Sequence, residues 1–255
     1  MVDTHRIPFL NTYVDNLTAA EAKSCVDKLI QEPGYHYVVT PNTDIVVKMQ
    51  DDAELKAICE NADLILTDGQ IIVKLSRRYG TPIKERVCMT DFVWDVFDLA
   101  IEKKYKVFLF GGKEDVLFKA TENIKNKLPE LNIIDSYSPP FGFENDEKIL
   151  AEANERIRKS GADILIVFLG CPKQEKFIAN NKNKYQVPMS ITMGGCVDFI
   201  AGGVKRAPMW MQRAGLEWFF RFLQEPKRMY RRYFIDDIKI FGLARKYKKG
   251  RSNAK

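Results

Sequence analysis

The sequence predicts an α/β fold, with a Rossmann-like, doubly wound, mostly parallel sheet followed by a basic amphipathic helical appendage at the C-terminus. Short apolar runs alternate with segments of helical periodicity along most of the chain. The run at residues 164–169 is apolar without alternation, as in a strand covered on both faces. Glycine or polar residues follow these runs, so in a parallel sheet they would meet at the edge formed by the carboxyl ends of the strands.

The first half of the chain begins with loose alternation at residues 5–17, which predicts an edge strand or a hairpin. Thr18 and Glu21 have the spacing of a capping box, so we expect a helix over residues 19–30. The remaining predicted elements of this half are strands at 35–40 and 64–66, and helices at 43–50, 52–62, 71–79 and 92–102.

The second half continues the alternation of strands and helices. Pro172 fits the first turn of a helix that follows the strand beginning at 163, because its missing N–H would be unpaired there anyway. We expect a core domain over residues 1–200 and an appendage over residues 201–255. The other predicted elements are strands at 106–110, from 133 and at 188–193, and helices after Asp115 and at 146–159.

Length and composition are those of an ordinary globular protein. The 255 residues, 45% of them hydrophobic, suffice for one α/β domain with an appendage or for two small domains. No apolar run approaches the length of a membrane span and the first residues lack a signal-peptide pattern, so we expect a cytoplasmic protein. The five cysteines are dispersed without paired spacing, which indicates reduced thiols and not a disulfide framework or a zinc site.

The charge is distributed unevenly along the chain. From Lys227 onward there are 11 Lys or Arg residues against Asp236 and Asp237, so this tail carries +9 and the preceding residues carry −3. A basic tail on a mildly acidic body predicts contact with phosphates, either on a lipid or on a nucleic acid.

Asp68 is the first candidate for chemistry. It follows the predicted strand at 64–66 and precedes Gly69, which would hold its carboxylate at the edge of the sheet, where it could act as a general base. Asp-Gly is also a common turn sequence, so a purely structural role stays open.

Gly111-Gly112 would let the backbone approach a phosphate closely just before a helix. The pair belongs neither to a GxGxxG fingerprint nor to a Walker A loop, which disfavours a dehydrogenase and an NTPase. The two histidines are far apart in the sequence, and no Asp-x-Asp occurs. We therefore expect no metal site and no cofactor.

Residues 198–234 form the most unusual segment. On a continuous helix one charged stripe would form from Arg221, Glu225, Arg228 and Arg232. Pro226 predicts a break that splits this stripe. Two interpretations stay open: a helix that covers the core with its arginines solvated, or a membrane-interface element whose arginines bind lipid phosphate or a diphosphate. The segment's large apolar residues include Trp210, Trp218, Phe219, Phe220, Phe222 and Leu223.

Several short motifs are spread over the chain. In order they are Thr40-Pro-Asn42, Thr67-Asp-Gly69, Glu85-Arg86-Val87, Leu169-Gly-Cys-Pro-Lys-Gln-Glu175, Arg206-Ala-Pro-x-Trp210, Gly215-Leu-Glu-Trp218, Arg221, Glu225-Pro-x-Arg228 and Arg231-Arg232-Tyr233. Together they resemble the WecG/TagA/CpsF glycosyltransferases, over about residues 8 to 233. The part at 206–233 is the most specific.

The resemblance implies an enzyme that moves N-acetylmannosamine or a related sugar from a uridine diphosphate (UDP) donor onto a polyprenyl diphosphate-linked sugar, in the synthesis of a cell-wall polymer, capsule or related glycan. It implies an inverting reaction without metal or cofactor, on a protein bound peripherally at the inner face of the cell membrane. A homo-oligomer is compatible with it, and nucleic acid is not among the implied partners.

The resemblance also implies roles for individual residues. Asp68 matches the proposed base of the family. The implied catalytic-pocket residues are Thr40, Asn42, Arg86 and Gln174, and arginines of an appendage that closes over the site match Arg221, Arg228 and Arg231. The glycines expected to line the substrate are Gly111, Gly112, Gly170, Gly194 and Gly195. The sequence departs from the family's pattern at Ile71 and Met89, where glycine is usual.

Two other functions remain open from the residues alone. One is a nucleic-acid-binding protein that uses the basic tail, although the acidic body and its edge of Asp, Asn and Gln side chains argue against an extended phosphate track. The other is a sugar-nucleotide hydrolase or epimerase on the same fold, which would process the donor without a lipid acceptor.

Overall fold

The computed structural model describes residues 4–253, with the side chains of that range apart from Arg213, Arg228 and residues 248–253. The chain opens with a two-stranded antiparallel hairpin, β1 (Arg6–Phe9) and β2 (Thr12–Asp15). Asp15 joins this hairpin to the main body, because its Oδ1 accepts from Arg6 Nε at 2.9 Å and its Oδ2 accepts from the Ile65 N–H at 2.6 Å. The predicted hairpin is confirmed.

A six-stranded parallel sheet forms the centre of the molecule. In chain order its strands are β3 (His36–Val39), β4 (Leu64–Ile65), β5 (Val107–Gly111), β6 (Ile133–Tyr137), β7 (Ile164–Phe168) and β8 (Met189–Thr192). Their order across the sheet is β4-β3-β8-β7-β5-β6. The strand predicted from the unbroken apolar run is β7, which is fully buried between β5 and β8.

Nine helices of the described chain accompany the sheet before the appendage begins. The capping box predicted for the first of them is present: Thr18 Oγ1 accepts from the Glu21 N–H at 3.2 Å, and the Thr18 N–H donates to Glu21 Oε2 at 2.7 Å. The nine are α1 (Ala19–Gln31), α2 (Thr43–Lys48), α3 (Ala53–Glu60), α4 (Gln70–Arg78), α5 (Met89–Lys103), α6 (Glu114–Lys127), α7 (Glu147–Ser160), α8 (Lys173–Tyr185) and α9 (Cys196–Ile200).

The helices divide between the two faces of the sheet. Helices α2, α3, α4, α7 and α8 share one buried cluster, and α1, α5, α6 and α9 share the other. Along β7, Leu165 and Val167 enter the first cluster, whereas Ile164 and Ile166 enter the second. This period-2 alternation buries both faces of the strand, so the doubly wound, Rossmann-like fold is confirmed.

The chain reverses its direction of winding between β5 and β7. From β5 it passes outward to β6 through α6 on one face, and from β7 it passes inward to β8 through α8 on the opposite face. In such sheets the ligand crevice lies between the carboxyl ends of the two strands at this switch. Here those ends are Gly111 and the Leu169-Gly170 turn.

Beyond residue 200 the chain forms short helices and one long one: α10 (Met209–Ala214), α11 (Glu217–Gln224), α12 (Pro226–Arg231), a π-helical turn (Arg232–Asp236) and α13 (Lys239–Asn253). Helix α11 ends just before Pro226, as the sequence predicted, so the charged stripe is split. No described residue of α11 is buried, whereas Ile240 and Ala244 of α13 are buried in the core cluster beside α2. Part of the basic tail is therefore packed on the body.

Candidate active site

Backbone hydrogen bonds gather three of the sequence motifs at the carboxyl ends of β3 and β4. The Asp68 N–H donates to the Pro41 carbonyl at 3.4 Å, and the Val87 N–H donates to the Thr67 carbonyl at 3.0 Å. Residues far apart in sequence thus share one edge of the sheet, which we call the rim.

Asp68 lies partly buried on this rim, at the N-terminus of α5. Its Oδ2 accepts a hydrogen bond from the Met89 N–H at 3.3 Å. Burial raises the pKa of the Asp68 carboxyl above its ordinary value, and the Arg86 charge and the Met89 hydrogen bond oppose that rise. A carboxylate whose pKa is raised is a stronger base, so the environment of Asp68 suits proton abstraction.

Arg86 stands in the loop between α4 and α5 and meets a partner from the appendage. Its Nη1 donates to Glu217 Oε2 at 3.0 Å. The other Glu217 oxygen, Oε1, lies 3.6 Å from Arg206 Nε, and Arg206 also pairs with Asp91 near the start of α5. These four side chains form a row of alternating charges that joins the appendage to the rim.

Thr40 and Asn42 both hold parts of the rim in place. The Thr40 Oγ1 lies 3.2 Å from Thr192 Oγ1, which links the ends of β3 and β8. Asn42 caps α2, because its Oδ1 accepts from the Ile45 N–H at 3.1 Å. Both residues flank Pro41, whose carbonyl accepts from the Asp68 N–H, so both are near Asp68.

The expected glycines follow the carboxyl ends of three neighbouring strands, β5, β7 and β8. A Cβ on Gly111, whose φ is +98°, would lie 2.8 Å from Leu169 Cδ2, so only glycine fits there. Gly112 and Gly194 also have positive φ. No heavy atom lies within 4 Å of a Cβ built on Gly170, so this side of the crevice has open space.

Gln174 is buried and ties two sides of the crevice together. Its Oε1 accepts from the Gly194 N–H at 3.0 Å, and its Nε2 donates to Glu175 Oε1 at 2.9 Å. Both ends of the amide are thus engaged within the chain, and the turn formed by Gly194 and Gly195 is fixed against α8.

The predicted arginines of the appendage take different positions. Arg221 is mostly buried, with its Nε 2.7 Å from Glu225 Oε2 and its guanidinium over the Phe199 ring at 4.5 Å, just after the Gly194-Gly195 turn. Arg231 has a side chain that is 82% exposed and lies 3.8 Å from Asp236, so the structure does not bring it to Asp68. The Arg228 side chain lies outside the described residues.

Three residues near Asp68 were not predicted. The charges of Arg232 and Glu217 act on the Asp68 pKa, the first lowering it and the second raising it, and Arg206 holds Glu217 from the other side. A signal for Glu217 exists in the sequence, since Glu217 and Glu225 are the two acidic residues in the basic segment from Lys205 to Arg232. Because arginines surround these two acidic residues, each of them forms an ion pair with one: Glu217 with Arg86, and Glu225 with Arg221.

The two departures from the family's glycine pattern do not crowd the rim. The Met89 side chain is buried in the cluster under α5, and Ile71 is partly buried against the cluster on the other face. Both added side chains therefore pack into the body of the protein.

No group of three or more His, Cys, Asp or Glu side chains in residues 4–253 is arranged to hold a metal ion. Among the helices described, none has the length and apolarity required for a bilayer span.

The appendage exposes a set of large apolar side chains next to its basic residues. Such a concentration exceeds the scattered apolar residues of ordinary surfaces. We call this set the apolar surface of the appendage; it comprises Met209, Trp210, Trp218, Phe219, Leu223, Tyr230, Phe234, Ile235, Ile238 and Phe241.

Comparison with known proteins confirms the resemblance that the motifs indicated. The family model described as "Glycosyl transferase WecG/TagA/CpsF family" matches residues 7–254. The chain is 31% identical over 224 residues to the N-acetylglucosaminyldiphosphoundecaprenol N-acetyl-beta-D-mannosaminyltransferase of Bacillus subtilis strain 168, covering 88% of this chain and 84% of that protein. It is 32% identical over 192 residues to the enzyme of the same name from Bacillus spizizenii strain W23, covering 75% and 72%. The chain therefore belongs to the WecG/TagA/CpsF glycosyltransferase family.

Proposed function

We propose that this glycosyltransferase moves N-acetylmannosamine, or a closely related sugar, from a UDP donor to N-acetylglucosamine linked through diphosphate to a polyprenyl lipid. The names of the two Bacillus relatives support this donor sugar and this acceptor. The observation that carries the proposal is the position of the Asp68 carboxyl, which accepts from the Met89 N–H at the N-terminus of α5 on the same sheet edge as the glycine turns at Gly111 and Gly170.

The reaction proceeds by a single displacement. Asp68 removes the proton from the acceptor hydroxyl, and the resulting oxygen attacks the anomeric carbon from the side opposite UDP, so the configuration at that carbon inverts. The donor lies with its diphosphate in the crevice between Gly111 and Gly170, where the backbone can approach closely.

The charge that develops on the leaving UDP is stabilised by the protein itself. The backbone of Gly111-Gly112 and the N-terminus of α8 supply dipoles for this charge at the ends of the two strands of the switch, and Arg221 lies over Phe199, just after the Gly194-Gly195 turn. Fixed cations and dipoles of this kind perform the task that a divalent ion performs in other transferases. The proposed reaction is accordingly independent of metal.

The lipid acceptor requires the enzyme to work at a membrane. The apolar surface of the appendage and the basic residues of the tail suit the interface of an anionic leaflet, where each Lys or Arg contributes about 1 kcal/mol. We therefore place the protein peripherally at the inner face of the cell membrane, with residues 201–255 acting as the appendage that meets it.

A donor screen tests the proposal. Purified protein is given a soluble short-chain lipid diphosphate N-acetylglucosamine and one of several UDP-sugars, and the product's anomeric configuration is read by NMR. We expect transfer from UDP-N-acetylmannosamine with inversion. Donor turnover at full rate without the acceptor would contradict a transferase and favour a hydrolase or an epimerase.

A further inference from the structure

The contact between Arg86 and Glu217 brings an acidic residue of the appendage into the site. The two residues are 131 positions apart, and their side chains are 19% and 23% exposed. A pair this far removed from solvent is screened less than a surface ion pair, and removing one partner leaves the other charge without its counterion.

Glu217 is held from both sides, so its position is defined. Arg86 binds Oε2 at 3.0 Å, and Arg206 lies 3.6 Å from Oε1. Arg206 is fixed in turn by its pair with Asp91. The carboxylate of Glu217 thus spans one arginine of the core and one of the appendage.

The same carboxylate competes with Asp68 for the charge of Arg86. The charged or titratable groups that act on or beside Asp68 are Arg86, Cys88, Cys196, Glu217 and Arg232. Arg86 lowers the pKa of Asp68, and Glu217 raises it. With Glu217 removed, the whole charge of Arg86 would act on Asp68 and favour the ionised, weakly basic carboxylate.

We infer that Glu217 is a positioning residue of the transferase: it holds Arg86 against the appendage and keeps it from forming a closed ion pair with Asp68. The inference rests on the proposed role of Asp68 as the base. It gives the appendage a second task beside membrane contact, since docking of α11 delivers the carboxylate that keeps the base active.

Glu217→Gln tests the charge while it keeps the size of the side chain. We expect kcat to fall roughly 10–100-fold because Arg86 is misplaced, with a smaller change in the KM for the UDP-sugar. The acid limb of the kcat–pH profile should move to lower pH, because the pKa of Asp68 falls. Glu217→Asp, which keeps the charge, should retain the wild-type limb with a reduced kcat.

Glu102→Gln is the matched control. It removes the ion pair between Glu102 and Lys23 at 3.0 Å, at the opposite end of α5 from Asp91 and Arg206. Rate and pH profile should equal those of the wild type. A melting curve for every variant shows whether a lower rate comes from unfolding or from a misplaced Arg86. If Glu217→Gln does not fold, Glu217→Asp is compared with the wild type instead.

A titration of Asp68 followed by carboxyl carbon NMR tests the inference without turnover. The Asp68 signal should titrate at lower pH in Glu217→Gln than in the wild type and at the wild-type pH in Glu217→Asp. Unchanged titration and unchanged kcat in Glu217→Gln would overturn the inference. A wild-type protein that transfers no sugar, yet shows the shift on substitution, would instead overturn the proposed function alone.

Discussion

Asp68 owes its character to groups that surround it in space. Its carboxylate accepts from the Met89 N–H, faces Arg86 and is partly withdrawn from water. Burial favours the neutral form, whereas the arginine and the helix N-terminus favour the ion; burial has the larger effect, so the pKa of the Asp68 carboxyl is raised and the carboxylate is more basic than usual. Of these features, the sequence predicted only that a carboxylate follows the end of a strand.

Asp68→Asn should lower turnover by about 10²–10⁴-fold, because the amide cannot take the proton from the acceptor. Its carbonyl oxygen can still accept from the Met89 N–H, so folding and donor affinity should change little. Single-turnover rates and UDP titrations measure the two effects. The exposed Asp115→Asn is the control. Near-native turnover of Asp68→Asn would make Asp68 a turn residue and require another base.

Excess chelator should leave activity unchanged, because arginines and backbone N–H groups take the place of an ion at the leaving diphosphate. The test compares turnover before and after treatment with EDTA. Loss of activity that Mg²⁺ or Mn²⁺ restores would contradict the metal-independent mechanism.

At the scale of the element, part of the basic tail is packed on the body of the protein. Helix α13 buries Ile240 and Ala244 against the body, while Phe241 in the same helix and Ile238 just before it stay exposed. Neighbouring residues of similar apolarity thus differ in burial, and composition does not separate them. The face that packs on α2 is set by tertiary contact, which the composition of the tail does not reveal.

Substitution of the exposed pair should weaken membrane binding without harming the fold. In the double variant Ile238→Ser and Phe241→Ser, less apolar area enters the interface, so sedimentation with anionic vesicles should decrease. Turnover on a short soluble acceptor should remain. Phe118→Ser, an equally exposed position in α6, is the control and should sediment normally. Equal sedimentation of all three proteins would show that charge alone binds the membrane.

Asp237 should make the stability of the appendage depend on pH. The residue is 7% exposed, and burial raises the pKa of its carboxyl from 3.8 to about 6. The negative charges of Asp44 and Asp236 add to this rise, and the positive charges of Arg232 and Lys48 oppose it. The folded state therefore binds more protons than the unfolded state between about pH 4 and 6, so the free energy of unfolding decreases as the pH rises through that window.

Asp237→Asn should remove the cost of burying an ionised carboxylate. The melting temperature at pH 7 should therefore rise, and it should depend less on pH. Thermal melts at several pH values provide the measurement. Asp115→Asn, at an exposed position in α6 that is not among the charges acting on Asp237, should leave the pH dependence as in the wild type. A lower melting temperature of Asp237→Asn at pH 7 would mean that the carboxylate forms a stabilising pair with Arg232.

At the scale of the whole molecule, the sequence contained the alternation of elements but not their order in space. Parallel strands bring their carboxyl ends to one edge, so Thr40, Asp68 and Gly111 could be assigned to the same rim from pattern alone. The switch point could not be predicted from the sequence, because it depends on which face of the sheet each crossover helix packs against. The contact of Arg86 with Glu217 could not be predicted either, since a pair 131 residues apart leaves no periodic signal.

The docking of α13 has a consequence for geometry at the membrane. A flexible tether of about 15 residues would have a root-mean-square end-to-end distance of roughly 20 Å, so the distance between the body and the membrane would vary. Helix α13 instead is anchored by Ile240 to the body beside α2, whose N-terminus is capped by Asn42 on the rim. With the exposed side of this helix in the leaflet, as proposed above, the rim would stand at one fixed height and tilt above the lipid phosphates. The rate at a surface then depends on the angle of the enzyme as well as on its affinity.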